Sequence, residues 1–155
     1  MCRLFGLLSV QSGSAEPWLV RSDRSLLAQS NVDPERAQKD GWGIGWFLQG
    51  GHAHVVKGKE GAFSTGEREH YLRTAAEARG TLILGHLRHA SNPLKLPHEK
   101  LIALENSQPF ENHTTLFAHN GAIPFPEETR PFLGVHEPKV KGVNDSEVLF
   151  WLLYR

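Results

Sequence analysis

Met1-Cys2-Arg3-Leu4-Phe5-Gly6-Leu7-Leu8-Ser9-Val10 opens the chain. The run from Leu4 to Val10 reads as a buried strand, because a short apolar run bounded by polar residues suits a sheet interior. A thiol therefore stands immediately before the first strand. Working outward, Gln11 to Glu16 reads as a polar turn and Pro17 to Ala28 as a helix with Trp18, Leu19, Leu26 and Leu27 on its apolar side. Asn31 to Asp40 is polar and loop-like, with a short turn after Pro34.

Trp42-Gly43-Ile44-Gly45-Trp46-Phe47 alternates large and small residues, the pattern of a strand with one bare face. Gly50-Gly51 then signals a turn, and His52 to Lys57 a returning strand. Glu67 to Arg79 reads as a helix with Leu72, Ala75 and Ala76 inward and Gly80 as its stop. Thr81 to Leu87 and Thr115 to His119 are further strands, with Ser91 to Asn106 irregular between them. Glu127 to Val143 contains prolines and reads as exposed. Asn144 can cap a last helix, with Glu147 as its capping-box partner. That helix, Val148 to Tyr154, is apolar on every side, which asks for cover on both faces.

The chain has 155 residues, the length of one domain, with 17 basic and 17 acidic side chains. That balance excludes a strongly basic nucleic-acid binder and a polybasic membrane module. One cysteine excludes an internal disulfide framework and a multi-cysteine zinc site. No apolar run approaches the roughly 18 residues of a membrane span, and no signal peptide is evident. A reducing, cytoplasmic compartment is the expectation.

Four places carry candidate chemistry. Once Met1 is removed, Cys2 unites a thiol and a free α-amine, titrating ordinarily near 8.5 and 7.7–8.0. Those values suit a nucleophile and a base at neutral pH; the plainer reading is a buried, inert cysteine. Arg88 ends the Thr81–Leu87 strand, where a guanidinium can grip a carboxylate through two bonds or simply face solvent. In His119-Asn120-Gly121, a side-chain amide stands beside an unhindered backbone N–H. That pair can form an oxyanion hole or a hairpin turn. Asp145 opens the last helix and is either a dipole partner or an acceptor for an ammonium group. As metal ligands the histidines are less convincing: His52 and His54 share a strand face, but His86 and His89 would point oppositely. No metal or cofactor is expected.

Together, the opening Met-Cys-Arg-Leu-Phe-Gly, Asp40-Gly41-Trp42-Gly43-Ile44-Gly45-Trp46, Gly85-His86-Leu87-Arg88-His89-Ala90-Ser91, Glu105-Asn106-Ser107-Gln108-Pro109-Phe110, Ala118-His119-Asn120-Gly121 and Asp145-Ser146-Glu147 occur in order. This set resembles the class II glutamine amidotransferases, and within them a stand-alone amidotransferase-like branch. The resemblance implies an α+β fold of the N-terminal-nucleophile hydrolase type, a four-layer αββα sandwich of antiparallel sheets. It implies Cys2 as nucleophile and its α-amine as base. Arg88 would hold the α-carboxylate and Asp145 the α-ammonium of glutamine or another γ-glutamyl small molecule. The Asn120 amide and the Gly121 N–H would form the oxyanion hole, and the Gly41–Gly45 strand would border the nucleophile.

The chain departs from the family pattern at Gln108, where relatives carry histidine. Relatives are also longer, so residues 1–155 are expected to be a domain incomplete at its C-terminus. Val148–Tyr154 would then lack cover, and self-association or a partner subunit is expected to supply it. A non-catalytic γ-glutamyl-binding subunit and a histidine-rich metal hydrolase are the competing functional readings.

Overall fold

A computed structural model describes residues 1–155. The first region is a four-stranded antiparallel sheet in the order β1 (Arg3–Ser14), β4 (Arg79–Leu87), β2 (Trp42–Phe47), β3 (Ala53–Gly58). The alternation in β2 does what its sequence predicts. Trp42, Ile44 and Trp46 turn to one side and join a 13-residue core with Leu19, Leu26, Tyr71, Ala75, Ile83 and Leu87. That core is roofed by a π-helical turn, Pro17–Arg21, and by α1 (Leu26–Gln29) and α2 (Arg68–Glu77). Trp42 meets Tyr71 edge-on at 5.1 Å and donates its indole N–H to Glu67 Oε2 at 3.1 Å. Burying an aromatic side chain of this kind stabilises by roughly 1.5–3 kcal/mol.

The bare side of β2 meets a second layer at backbone contact. A Cβ at Gly43 would strike the carbonyl of Gln108, and one at Gly45 would press on Leu116. This second layer is a two-stranded sheet, β5 (Phe110–Asn112) paired with β6 (Thr115–Phe117). On its outer side lie α4 (Pro126–Thr129), a run of 3-10 turns over Arg130–Lys139, and α5 (Asp145–Tyr154). Helices, sheet, sheet and helices therefore stack as αββα, an α+β fold with antiparallel sheets. A short α3 (His98–Leu101) lies in the connection between β4 and β5.

Several local expectations are corrected. β1 is an edge strand, not a buried one: Leu4, Leu8 and Val10 are exposed, and only Phe5 and Leu7 pack on the core. It also runs on to Ser14 through the predicted turn, with a break of register between Leu8 and Gly13. The Pro17–Ala28 helix is two short pieces, because Ser25 caps a new start by accepting the Ala28 N–H. α2 turns Tyr71, Thr74 and Ala75 inward and leaves Ala76 exposed; Gly80 lies in β4 rather than stopping the helix. Leu133, within the segment read as exposed, is fully buried.

α5 is covered on one side. Phe150 stacks on Phe117 at 5.7 Å and on Phe110 at 6.2 Å, and with Val148, Trp151 and Leu133 it forms a separate five-residue core. Leu153 and Tyr154 remain exposed. Glu147 is not a capping-box partner: its carboxylate accepts the N–H groups of Lys141 and Gly142 at 3.0 and 2.8 Å. The cap is Asn144, which accepts the Ser146 N–H at 3.0 Å and shares it with Asp145 Oδ1.

Candidate functional site

The β1–β4 register pairs Arg3 with Leu87, so Cys2 falls beside the chain leaving β4. The His89 N–H donates to Cys2 Sγ at 3.3 Å, and the thiol faces the His89 carbonyl at 3.6 Å. With Met1 attached the Cys2 nitrogen is a peptide amide, and Met1 itself is 80% exposed. The Gly41–Gly45 strand does not border the nucleophile, since β4 lies between β1 and β2. It reaches the site one strand removed, through Gly41 accepting the Arg88 N–H at 2.8 Å.

Arg88 is not a solvated surface arginine; it is only 6% exposed. Its Nη1 donates to the carbonyls of Asp40 and Leu101 at 3.1 and 3.0 Å. Both bonds use one nitrogen, which leaves Nε and Nη2 for an incoming carboxylate. Burial pulls the Arg88 pKa down, opposed by Asp40, Cys2 and Asp145, and a guanidinium stays charged at neutral pH in any case.

Asp145 sits in the first turn of α5, where the helix dipole favours an anion. Its Oδ2 accepts the Ile123 N–H at 2.6 Å and its Oδ1 the Ser146 N–H at 2.8 Å. Asn120-Gly121 is not a hairpin turn: β6 has ended at Phe117, and the hairpin lies earlier, between Asn112 and Thr115. The Asn120 Nδ2 donates to the Cys2 carbonyl at 3.1 Å. The segment after β6 thus crosses to the start of β1.

These pieces meet at one cavity of about 390 Å³, whose wall includes Cys2, Arg88, Gly121 and Asp145. Asn120 lies at its margin, against the Cys2 main chain. His89 and Gln108 share the wall and were not singled out as site residues from sequence. Neither was Asp40, whose Oδ2 accepts the Ala90 N–H at 2.8 Å and whose carbonyl holds Arg88. Its place in the Asp40–Trp46 motif was the available signal. The wall thus sets a thiol beside one fixed cation and one fixed anion, complements for an amino-acid head group.

A second cavity of about 310 Å³ lies between β3, β5 and α5 and holds none of the predicted residues. There burial lowers the Lys57 pKa to about 8, and its ammonium lies 5.0 Å from the Phe110 ring centre. His52, His54, His86 and His89 do not gather: no group of three histidine, cysteine, aspartate or glutamate side chains has metal-binding geometry.

No curated protein matches the chain. The family model for class II glutamine amidotransferases matches residues 1–155, from the thiol beside β1 through the aspartate that opens α5. With that match over its full length, the chain belongs to the class II glutamine amidotransferases.

Proposed function

We propose that the protein hydrolyses the side-chain amide of glutamine or of a γ-glutamyl compound, with Cys2 as nucleophile. The observation that carries this reading is the shared cavity wall of Cys2, Arg88, Gly121 and Asp145, contributed by both ends of the chain. Removal of the exposed Met1 would free the Cys2 amine as the base. Arg88 Nε and Nη2 would hold the substrate α-carboxylate, and the Asp145 carboxylate its α-ammonium. These two charges fix a zwitterion end-on and direct its amide toward the sulfur.

The Cys2 thiol gives its proton to the α-amine and attacks the amide carbon. The Asn120 Nδ2 and the Gly121 N–H stabilise the resulting oxyanion. The C–N bond then breaks, the amine returns the proton, and ammonia or an amine leaves a γ-glutamyl thioester on Cys2. Water, deprotonated by the same amine, hydrolyses that thioester to release the γ-glutamyl acid and the free thiol. A cytoplasmic setting accords with a free thiol nucleophile.

The test is mass spectrometry of the protein before and after treatment with an electrophilic glutamine analogue, beside an assay of ammonia release. One adduct on Cys2 of the Met1-free species, with glutamine slowing its formation, is the expected result. Met1-free protein that neither labels nor releases ammonia would favour a γ-glutamyl-binding subunit without catalysis.

A further inference from the structure

Gln108 lies 3% exposed in the wall of the site. Its side-chain amide faces the main chain of His119. Oε1 accepts the His119 N–H at 2.6 Å, and Nε2 donates to the His119 carbonyl at 3.2 Å. The next two residues are Asn120 and Gly121. β6 stops at Phe117, so this stretch has no strand neighbour. A carboxamide offers one acceptor and one donor in the spacing of a peptide group, as a neighbouring strand would.

We infer that Gln108 is a positioning residue, which holds the His119–Gly121 main chain at the register that brings Asn120 and Gly121 to the Cys2 end of the cavity. The inference rests on the amidase reading for its catalytic consequence, though not for the contact itself. Two further observations support it. The Gln108 main chain is wedged against Gly43 of β2, which anchors the side chain to the larger sheet. The His119 ring is held separately, its Nδ1 lying 3.1 Å from Ser146 Oγ, next to Asp145. One residue thereby ties the oxyanion segment to the first region through Gln108 and to the substrate aspartate through Ser146.

The test uses Gln108→Glu and Gln108→Leu in the full chain. A carboxylate keeps the acceptor for the His119 N–H but sets a second acceptor against the His119 carbonyl. Protonation restores a donor there. The titratable groups around it are Cys2, Arg88, His89, His119 and Asp145 in the same wall, with His86 and Lys57 on the facing sheet, each paired with Gly43. Each pH point is therefore read as the ratio of variant to parent, which removes their shared titration. The ratio of kcat for Gln108→Glu is expected to be about tenfold below one at pH 8 and to climb toward one as pH falls to 5, with KM little changed. Gln108→Leu should lower kcat about 10²-fold, the size of one misplaced oxyanion donor, at every pH.

Amide hydrogen exchange at His119 gives a readout free of activity: at least tenfold faster in Gln108→Leu, and faster in Gln108→Glu at pH 8 than at pH 5 once corrected for intrinsic exchange. A flat kcat ratio with unchanged His119 exchange overturns the inference. A parent protein with no amidase activity overturns the proposed function instead, and the exchange result still decides the role of Gln108.

Discussion

The two regions of the molecule are built differently. The first, up to β4, has one four-stranded sheet and a 13-residue core. The second has two three-residue strands, 3-10 turns and a five-residue core. The candidate site draws on both: Cys2 and Arg88 flank the sheet, one residue before β1 and one after β4, whereas Asn120, Gly121 and Asp145 belong to the smaller region. The proposed nucleophile and the proposed carboxylate grip, sulfur and guanidinium, thus stand at the end of the larger sheet. The proposed oxyanion donors stand on a segment held through side chains, those of Gln108 and Ser146 at His119. Geometry of this kind can be lost without unfolding the frame.

The largest effect expected is from Cys2→Ala. Turnover should fall by about 10⁴-fold or more, as removal of a nucleophile does, while the melting temperature stays near that of the parent. A half-buried sulfur with weak contacts to His89 contributes little to the fold. Loss of folding in this variant would mean that the two roles are not separable.

Trp42→Ala and Phe150→Ala compare the two cores directly. Each removes a fully packed aromatic at a cost of about 3–5 kcal/mol. Trp42→Ala should unfold the whole chain, by circular dichroism and by fluorescence alike. Phe150→Ala should release α5 and β5–β6 first, so that amide exchange rises there while β1, β4 and β2 stay protected. Equal loss of protection in both regions would show a single cooperative unit.

Asn120→Ala should lower kcat by about 10²–10³-fold and leave KM within a few-fold, since the amide meets no part of the proposed head-group grip. A rise in KM with kcat unchanged would assign Asn120 to substrate binding instead.

The smallest effect concerns the seam between the regions. His86 lies on the β4 face turned toward the second layer, fully buried, with no partner for either ring nitrogen. Burial first, and then the charges of Arg88 and Lys57, lower its pKa to about 3. Folded His86 is thus neutral where the unfolded ring takes a proton near its ordinary 6.5. The unfolded state binds more protons in that window. The His86 contribution is complete above pH 6.5 and is lost as pH falls toward 3, with a slope approaching about 1.4 kcal/mol per pH unit. Denaturation of His86→Leu across pH 4–7 should show a shallower acid limb than the parent. An identical limb would place the acid sensitivity in the carboxylates.

The first region was far more legible in sequence than the second, and the reason is physical. Period-two alternation in Trp42–Trp46 has one structural solution when glycine fills every second place. The segments missed are ones where tertiary packing overrides local pattern. Leu133 stands between Phe132 and Val135, both exposed, and no local pattern marks it as the one that is buried with Val148, Phe150 and Trp151 of α5. Phe110–Asn112 is too short to alternate visibly. Glu147 matched a capping box by spacing, yet the loop at Lys141–Gly142 lies near enough to take both oxygens. At the candidate site, residue types alone left Cys2, Arg88, Asn120, Gly121 and Asp145 open; the ordered motifs and the resemblance they carry named them, and four of the five line one cavity. The carbonyls that hold Arg88, and the amide that holds His119, follow from chain paths that no spacing rule encodes.

The break of register in β1 sets where the gene can tolerate a change in length. β1 spends four residues, Ser9 to Ser12, where β4 spends only Thr81, and the exposed Val10 shows that this excess stands clear of the sheet. A codon inserted or lost there would lengthen or shorten a bulge of β1 already out of register with β4. A codon inserted between Cys2 and Leu8 has no such slack. Either the thiol moves one place past His89, or every side chain of the strand changes face. Length variation among natural and engineered versions of this chain should therefore collect after Leu8 and be absent before it.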